Sequence, residues 1–482
     1  MKRFFCVIIA CIFLLSVGGC RSTKVERSVY RISASFDGER TVSAEMTFDY
    51  FNSTDTEITE LAFNLYPNAY RKGAKHPPVP AQSAAQAFPN GVSYGGIEVV
   101  SCKESGDDLE FKVCGEDENI LVLYLKKGVF PAERVEVEIK FKVELAECRH
   151  RLGVFDGVVN LSNWYPVLCY RDRSGFYLKP YSAIGDPFCS EVADYFVELS
   201  VPGEFTVASG GDCVKTEVGE EQTRYSFECR SVRDVAFSLC KEFEVFVGKT
   251  GDIDILFYHK GCDFAPDAVR AAELAIKTYG ELFGEYPYST FTVASVPFLQ
   301  GGMEYPCIVY VSDRLEEEQF IQATLHEAAH QWWYGMVGCN QYEHAFLDEG
   351  LAEYSTLLFY ENHPEYGVTR ESFIEAKNTE YREFYGVLEQ LTGKVNTVME
   401  RPLDDFSGEY EYVEIAYVRS VLMLDGLRES VGDARFKRGL KAFFEKNRFA
   451  VAGPEHLAAA FRGVGSDAEG YLYSWIEGRA VA

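Results

Sequence analysis

From about Val29 to about Val247, apolar and polar residues repeatedly alternate with a period of two. The clearest case places Val135, Val137, Ile139, Phe141, Val143 and Leu145 between Glu136, Glu138, Lys140, Lys142 and Glu144. That rhythm predicts a strand with one face in a core and one in water. Residues 121–125 and 195–201 predict further strands, and turn-forming pairs recur at Asp37-Gly38, Asn90-Gly91, Gly95-Gly96 and Gly210-Gly211. The region reads as a β-sandwich-like support domain with no chemistry of its own. Beyond about Asp252 the period lengthens. Val269, Ala272, Ile276, Tyr279 and Phe283 recur at three- and four-residue steps after Pro266, predicting an amphipathic helix that stops at Gly284. A short strand over 291–296 and a helix over about 315–334 follow. The second helix opens on Glu316, Glu317 and Glu318, where acid suits the positive end of the helix dipole. From Asp348 onward the pattern is mostly helical, so the chain divides softly into β-rich and α-rich halves near 245–255.

Length and composition fit this division. The chain has 482 residues, enough for two or three domains, and 47% of them are hydrophobic. The net charge of −27 repels phosphate backbones, so nucleic acid is not an expected partner. An acidic cleft would instead favour a cation such as a peptide's free amino terminus. At the N-terminus, Lys2 and Arg3 precede an apolar run from Phe4 to Val17, too short for a comfortable membrane span. The run ends Val17-Gly18-Gly19-Cys20 and then turns polar, which resembles the bacterial lipoprotein signal with Cys20 as the lipidated mature N-terminus. The expectation is a signal peptide over 1–19, an anchor and linker over 20–28, and an exported protein held to the cell envelope by lipid on Cys20. Eleven cysteines lie beyond Cys20, so at least one thiol stays free, and no C-x-x-C pair occurs. Cys102 with Cys114, and Cys213 with Cys229, are candidate hairpin staples.

The chemistry concentrates at His326-Glu327-Ala328-Ala329-His330. Histidines at i and i+4 project from one helix face, the spacing a tetrahedral zinc needs for two nitrogen ligands. Glu327 lies beside the metal without being aimed as a ligand, so it is placed to take a proton from the attacking water. Neither a glycine at 333 nor a histidine at 336 is present, so the metzincin continuation is absent and the third ligand should be an acid. Glu349 is available, with Gly335, Gly338 and Asn340 allowing the chain to turn and Asp348 placed to cap a second helix. Two His and one Glu leave a fourth position open, the mark of a catalytic zinc site.

Four stretches together resemble the aminopeptidase N family of zinc peptidases, within the gluzincins. They are Gly301-Gly302-Met303-Glu304-Tyr305-Pro306, His326 to Gly335, Leu347-Asp348-Glu349-Gly350-Leu351-Ala352-Glu353-Tyr354, and Tyr417-Val418-Arg419-Ser420 running into Leu427 to Phe436. Their order and spacing agree with the family over about 160–482. The resemblance implies an α+β multidomain protein: a β-rich N-terminal domain over 29–247, then a thermolysin-like, mainly helical catalytic domain over 248–482. It implies one Zn2+ per chain on His326, His330 and Glu349, with Glu327 as general base and Tyr417 as oxyanion donor. Gly301, Gly302, Met303 and Glu304 would bind substrate, the last by holding the free α-amino group. Trp332 and Trp333 would pack behind the metal helix, and Glu353 would stand behind the site or on the surface. The expected activity is hydrolysis of the N-terminal peptide bond of peptides. A gluzincin endopeptidase without the amine clamp is the alternative, and an inactive surface binding lipoprotein a third; the intact ligands and base argue against the last. Three departures stand out. Val-Arg-Ser follows Tyr417 where relatives more often carry a lysine and then Gly-Ala. No motif marks the second amine-binding residue that many relatives carry in the N-terminal domain. The sequence closes at Trp475-Ile476-Glu477-Gly478, so the large C-terminal helical domain of longer relatives is expected to be missing and the cleft more open.

Overall fold

In the computed structural model, which describes residues 26–465 and 467–480, the alternating stretch forms the strand Arg134–Glu144. Val137, Ile139, Phe141 and Val143 are buried while Lys140 and Lys142 face solvent. The strand lies inside an eight-stranded sheet with Thr41–Phe51 on one side and Gly96–Glu104 on the other. Val29–Phe36 and Ala193–Pro202 form a parallel pair in this otherwise antiparallel sheet. Two four-stranded sheets accompany it, around a core built on Tyr30, Phe48, Trp164, Tyr165 and Tyr195. Residues 1–25, where the signal peptide and lipidated Cys20 are expected, lie outside the described residues.

The proposed cysteine staples do not form, and all eleven cysteines among the described residues are free thiols. Cys102 sits in the eight-stranded sheet and Cys114 in a different sheet. Cys213 is exposed and stands opposite Phe227, whereas Cys229 is buried with its Sγ 2.8 Å from the Gly210 carbonyl. Sequence spacing brought these pairs near one another in the chain but not onto facing positions.

A separate five-stranded sheet runs in the order Glu244–Thr250, Ile253–His259, Thr290–Val296, Ile308–Ser312, Gly302–Met303. The hairpin Glu244–His259 spans the sequence-derived boundary at 247/248 and belongs wholly to this sheet. Both faces of the central strands are covered. Phe291, Val293, Val309 and Val311 pack with the helices, while Ala294, Val296, Ile308 and Tyr310 pack into the N-terminal core. Burial on both faces explains the unbroken apolar run Ile308-Val309-Tyr310-Val311. It also mounts the edge strand Gly302–Met303 rigidly between the two halves of the molecule.

The amphipathic helix is Ala265–Leu282, with Val269, Ala272, Ile276 and Tyr279 buried as its period required. The helix carrying the histidines is Glu317–Ala329, shorter than the predicted 315–334, because the chain turns immediately after His330. There Gly335, Met336 and Val337 donate to the carbonyls of His330, Gln331 and Trp332, each five residues back, at 2.9, 3.1 and 2.9 Å. The following helix is Gln341–Asn362, kinked at His344. Asp348 therefore lies within a helix and does not cap one; its carboxylate accepts instead from the Gln341 side chain at 2.7 Å. Trp332 and Trp333 are buried in the helical core. Among the described residues, no helix is long and apolar enough to cross a membrane.

Candidate active site

Helix Glu317–Ala329 and helix Gln341–Asn362 pack side by side, and their contact brings three donors together. His326 Nε2 and His330 Nε2 are 3.1 Å apart, and Glu349 Oε2 lies 3.3 Å from the first and 3.2 Å from the second. Ligands of a tetrahedral zinc ion stand about 3.3–3.4 Å apart, given bonds of about 2.0–2.1 Å. The triangle thus has the size and donor chemistry of three zinc ligands with one position open. Its outer contacts fix which ring nitrogen faces inward. His326 Nδ1 donates to Glu353 Oε2 at 3.0 Å, and His330 Nδ1 donates to the Trp333 carbonyl at 2.8 Å. Both Nε2 lone pairs then converge, an arrangement that calls for a cation. Glu353 is tied in turn to Lys377 Nζ at 3.0 Å, so it stands behind the site and not on the surface.

The electrostatics agree. Burial by itself would raise the Glu349 carboxyl, but the two imidazoles override it and hold the group well below the usual carboxylate range. Burial would favour a neutral His326; Glu349 and Glu353 overcome that and push the ring up to about 10. The cluster therefore favours positive charge, the condition for holding a divalent ion. Removing that ion with a chelator is expected to lower the Tm by roughly 5–10 °C, reversed by zinc. A melting curve indifferent to chelation would exclude a metal from this triangle.

Glu327 lines the cleft, and Glu304 lies beside it, buried. Burial raises the Glu327 carboxyl to about 7, against the pull of His326 and His330. Its Oε2 has no partner in the protein, which leaves it free for a proton-carrying guest. Gly302 is fitted to it: a Cβ added there would stand 2.3 Å from Glu327 Oε1. Gly302→Ala is accordingly expected to displace the carboxylate and lower kcat about 10²-fold while leaving the Tm nearly unchanged, measured by kinetics and thermal melting. Glu304 follows on the edge strand and is buried, with one of its oxygens in a group with Glu327 and His330 whose atoms all lie within 4.8 Å of one another. Burial raises its carboxyl well above the usual range, and Asp186 adds to the effect against His330.

These groups open onto a cleft of about 510 Å³ whose lining includes Gly301, Gly302, His326, Glu327, Tyr412 and Tyr417. Tyr417 is half-buried on a short π-helical turn, Glu414–Val418, and stacks on the His326 ring at 5.7 Å and 17°. Met303 buries its side chain in the core shared with the N-terminal domain, so substrate contact there falls to its backbone. Three lining residues carried no signal in the sequence. Tyr412 reaches Glu349 Oε1 at 3.4 Å and packs edge-on against Tyr417. Arg151 and Asp186 come from the N-terminal domain and form an ion pair at 2.5 Å in the cleft wall. Asp186 sits in an irregular loop of ordinary composition, where no local pattern points to it.

Residues 268–471 match the Peptidase family M1 domain. The match lies in the helical half of the chain and takes in His326, His330 and Glu349. The chain is 28% identical to aminopeptidase M1-A of Oryza sativa subsp. japonica over 229 residues, which are 42% of the chain and 25% of that protein. It is 23% identical to aminopeptidase N of Lactococcus lactis subsp. lactis over 340 residues, 63% of the chain and 38% of that protein. The chain thus spans less than half the length of these curated relatives. A mutant M1 zinc metallopeptidase from Deinococcus radiodurans superposes with a TM-score of 0.68 at 16% identity, over 95% of each chain. The fold likeness therefore extends through both halves of the chain. The β-rich region followed by the helical one is the architecture of that two-domain neighbour.

Proposed function

We propose that this chain is a zinc-dependent aminopeptidase, which removes the N-terminal residue of peptides with one zinc ion on His326, His330 and Glu349. The observation that carries the reading is the place of Glu304, grouped with Glu327 and His330 within 4.8 Å. One residue of an extended chain spans about 3.3–3.6 Å. An ammonium held at Glu304 therefore leaves space for a single residue before the scissile bond and none ahead of it.

When bound, zinc supplies a Lewis acid for the scissile carbonyl and brings the pKa of water toward about 7. Glu327 takes the proton of the attacking water and later passes it to the leaving nitrogen. Its unpartnered Oε2 is the atom placed to carry that proton. Tyr417, fixed by stacking on His326, donates its hydroxyl proton toward the oxygen on which charge develops. Glu304 is a buried acid that the nearby Asp186 charge makes costlier to ionise, and an ammonium guest supplies the missing counter-charge. Asp186 is thus the candidate for the second amine-binding residue. A solved relative from Deinococcus radiodurans is described with a Tyr-Ser-Ala substrate, which supports a peptide as the substrate class.

The test is a panel of aminoacyl fluorogenic amides beside their N-acetyl counterparts. Unblocked substrates should be preferred by about 10²-fold or more. Equal cleavage of both would replace the reading by an endopeptidase, which needs the metal site but no amine clamp. The exported, lipid-anchored location rests on residues 2–24 of the sequence alone. Cys20→Ser is expected to move the full chain from the membrane fraction to the soluble fraction, and an unchanged distribution rules the anchor out.

A further inference from the structure

We infer that Gln341 is the positioning residue of the amine pocket, holding the Glu304 carboxylate in place and tying it to the loop that carries Asp186. The inference rests on the aminopeptidase reading and adds the group that sets its anchor. Gln341 opens helix Gln341–Asn362 and is 1% exposed. Its Nε2 donates to Glu304 Oε1 at 2.7 Å and to Asp348 Oδ2 at 2.7 Å. Among the described residues, it is the one hydrogen-bond donor that reaches Glu304. Both acceptors are acids, so the amide nitrogen must face them, and Gln341 Oε1 is left without a protein partner. The backbone N–H of Gln341 donates to the Phe188 carbonyl at 3.1 Å, two residues past Asp186. One residue therefore joins Glu304, just past the edge strand, the N-terminal-domain loop bearing Asp186, and the helix bearing Glu349.

The chemistry of the position favours an amide over the alternatives. Two N–H groups on one neutral nitrogen satisfy two carboxylates without cancelling their charge. A lysine or arginine there would neutralise Glu304 and compete with the substrate's ammonium. A glutamate would crowd a third carboxyl into the cluster, and an apolar side chain would leave two buried acids with no donor. Gln341 thus orients the anchor yet leaves its charge for the ligand.

Gln341→Met is the test, read against wild type with free and N-acetylated aminoacyl amides. The KM for free amines should rise about 10- to 100-fold, with kcat changed by less than about threefold and zinc content unchanged. An amino-acid hydroxamate should weaken by a similar factor, whereas acetohydroxamate, which has no amine, should bind as before. An unchanged KM, or equal weakening of both hydroxamates, overturns the inference; the latter would assign Gln341 to the metal site. Should Gln341→Met not fold, Gln341→Asn, which keeps a neutral amide but withdraws it from Glu304, carries the same readouts and expectation. A wild type that cleaves blocked and free substrates alike defeats the aminopeptidase reading and the inference with it. A discriminating wild type beside an unaltered variant defeats the inference alone.

Discussion

Glu327→Gln is expected to lower kcat by about 10²–10⁴-fold while the protein still binds zinc. The substitution keeps the shape that packs against Gly302, where the clearance is too small for even one added carbon. It leaves the triangle of His326, His330 and Glu349 intact, because Glu327 is not one of its three members. What it removes is a carboxylate whose Oε2 has no protein partner and whose pKa lies near 7. An amide cannot accept and return a proton at that pH. Turnover of an aminoacyl fluorogenic amide, measured beside metal content, decides the matter. A variant that keeps more than about a third of wild-type kcat would remove Glu327 from the proton path.

Glu304→Ala is expected to reduce kcat/KM on free-amine substrates by about 10²–10³-fold, with the ratio of free to N-acetylated substrate falling toward one. The site is buried, so an ammonium that enters it loses its water and depends on the carboxylates that remain. Asp186 alone is already committed to Arg151 at 2.5 Å and does not replace Glu304. The discriminating measurement is the ratio, because a general loss of structure would depress both substrates equally. If the variant still prefers free amines as strongly as wild type does, the amine anchor lies elsewhere in the cleft.

The zinc triangle was legible because its information is local. His326 and His330 share a helix face through their spacing, and the acid ligand was sought among few candidates downstream. Glu304 and Tyr417 were legible through resemblance and not through physics, since a glutamate after two glycines and one tyrosine among thirty carry little meaning alone. The predicted cap at Asp348 failed for a related reason. Turn residues at Gly335 and Gly338 showed that the chain reverses, but the five-residue hydrogen bonds after His330 bring the next helix in earlier, at Gln341. The cysteine staples failed because spacing cannot tell which sheet a strand joins.

By itself, the sequence determined the β-rich and helical halves, the His-Glu-x-x-His helix face and the acid that gathers with the two histidines. Periods of 2.0 and 3.6 residues and an i, i+4 spacing are short-range properties of a backbone, and short-range order is written in neighbouring residues. Tertiary structure alone decided that Glu304 stands beside Glu327, that Asp186 and Arg151 reach the cleft from the other domain, and that Gln341 bridges Glu304 to Asp348. Those contacts join residues 35 apart in the Arg151–Asp186 pair and 37 apart in the Gln341–Glu304 pair. Their energies depend on burial and on which charges share a low-dielectric space, quantities that exist only once both cores have closed around the five-stranded sheet.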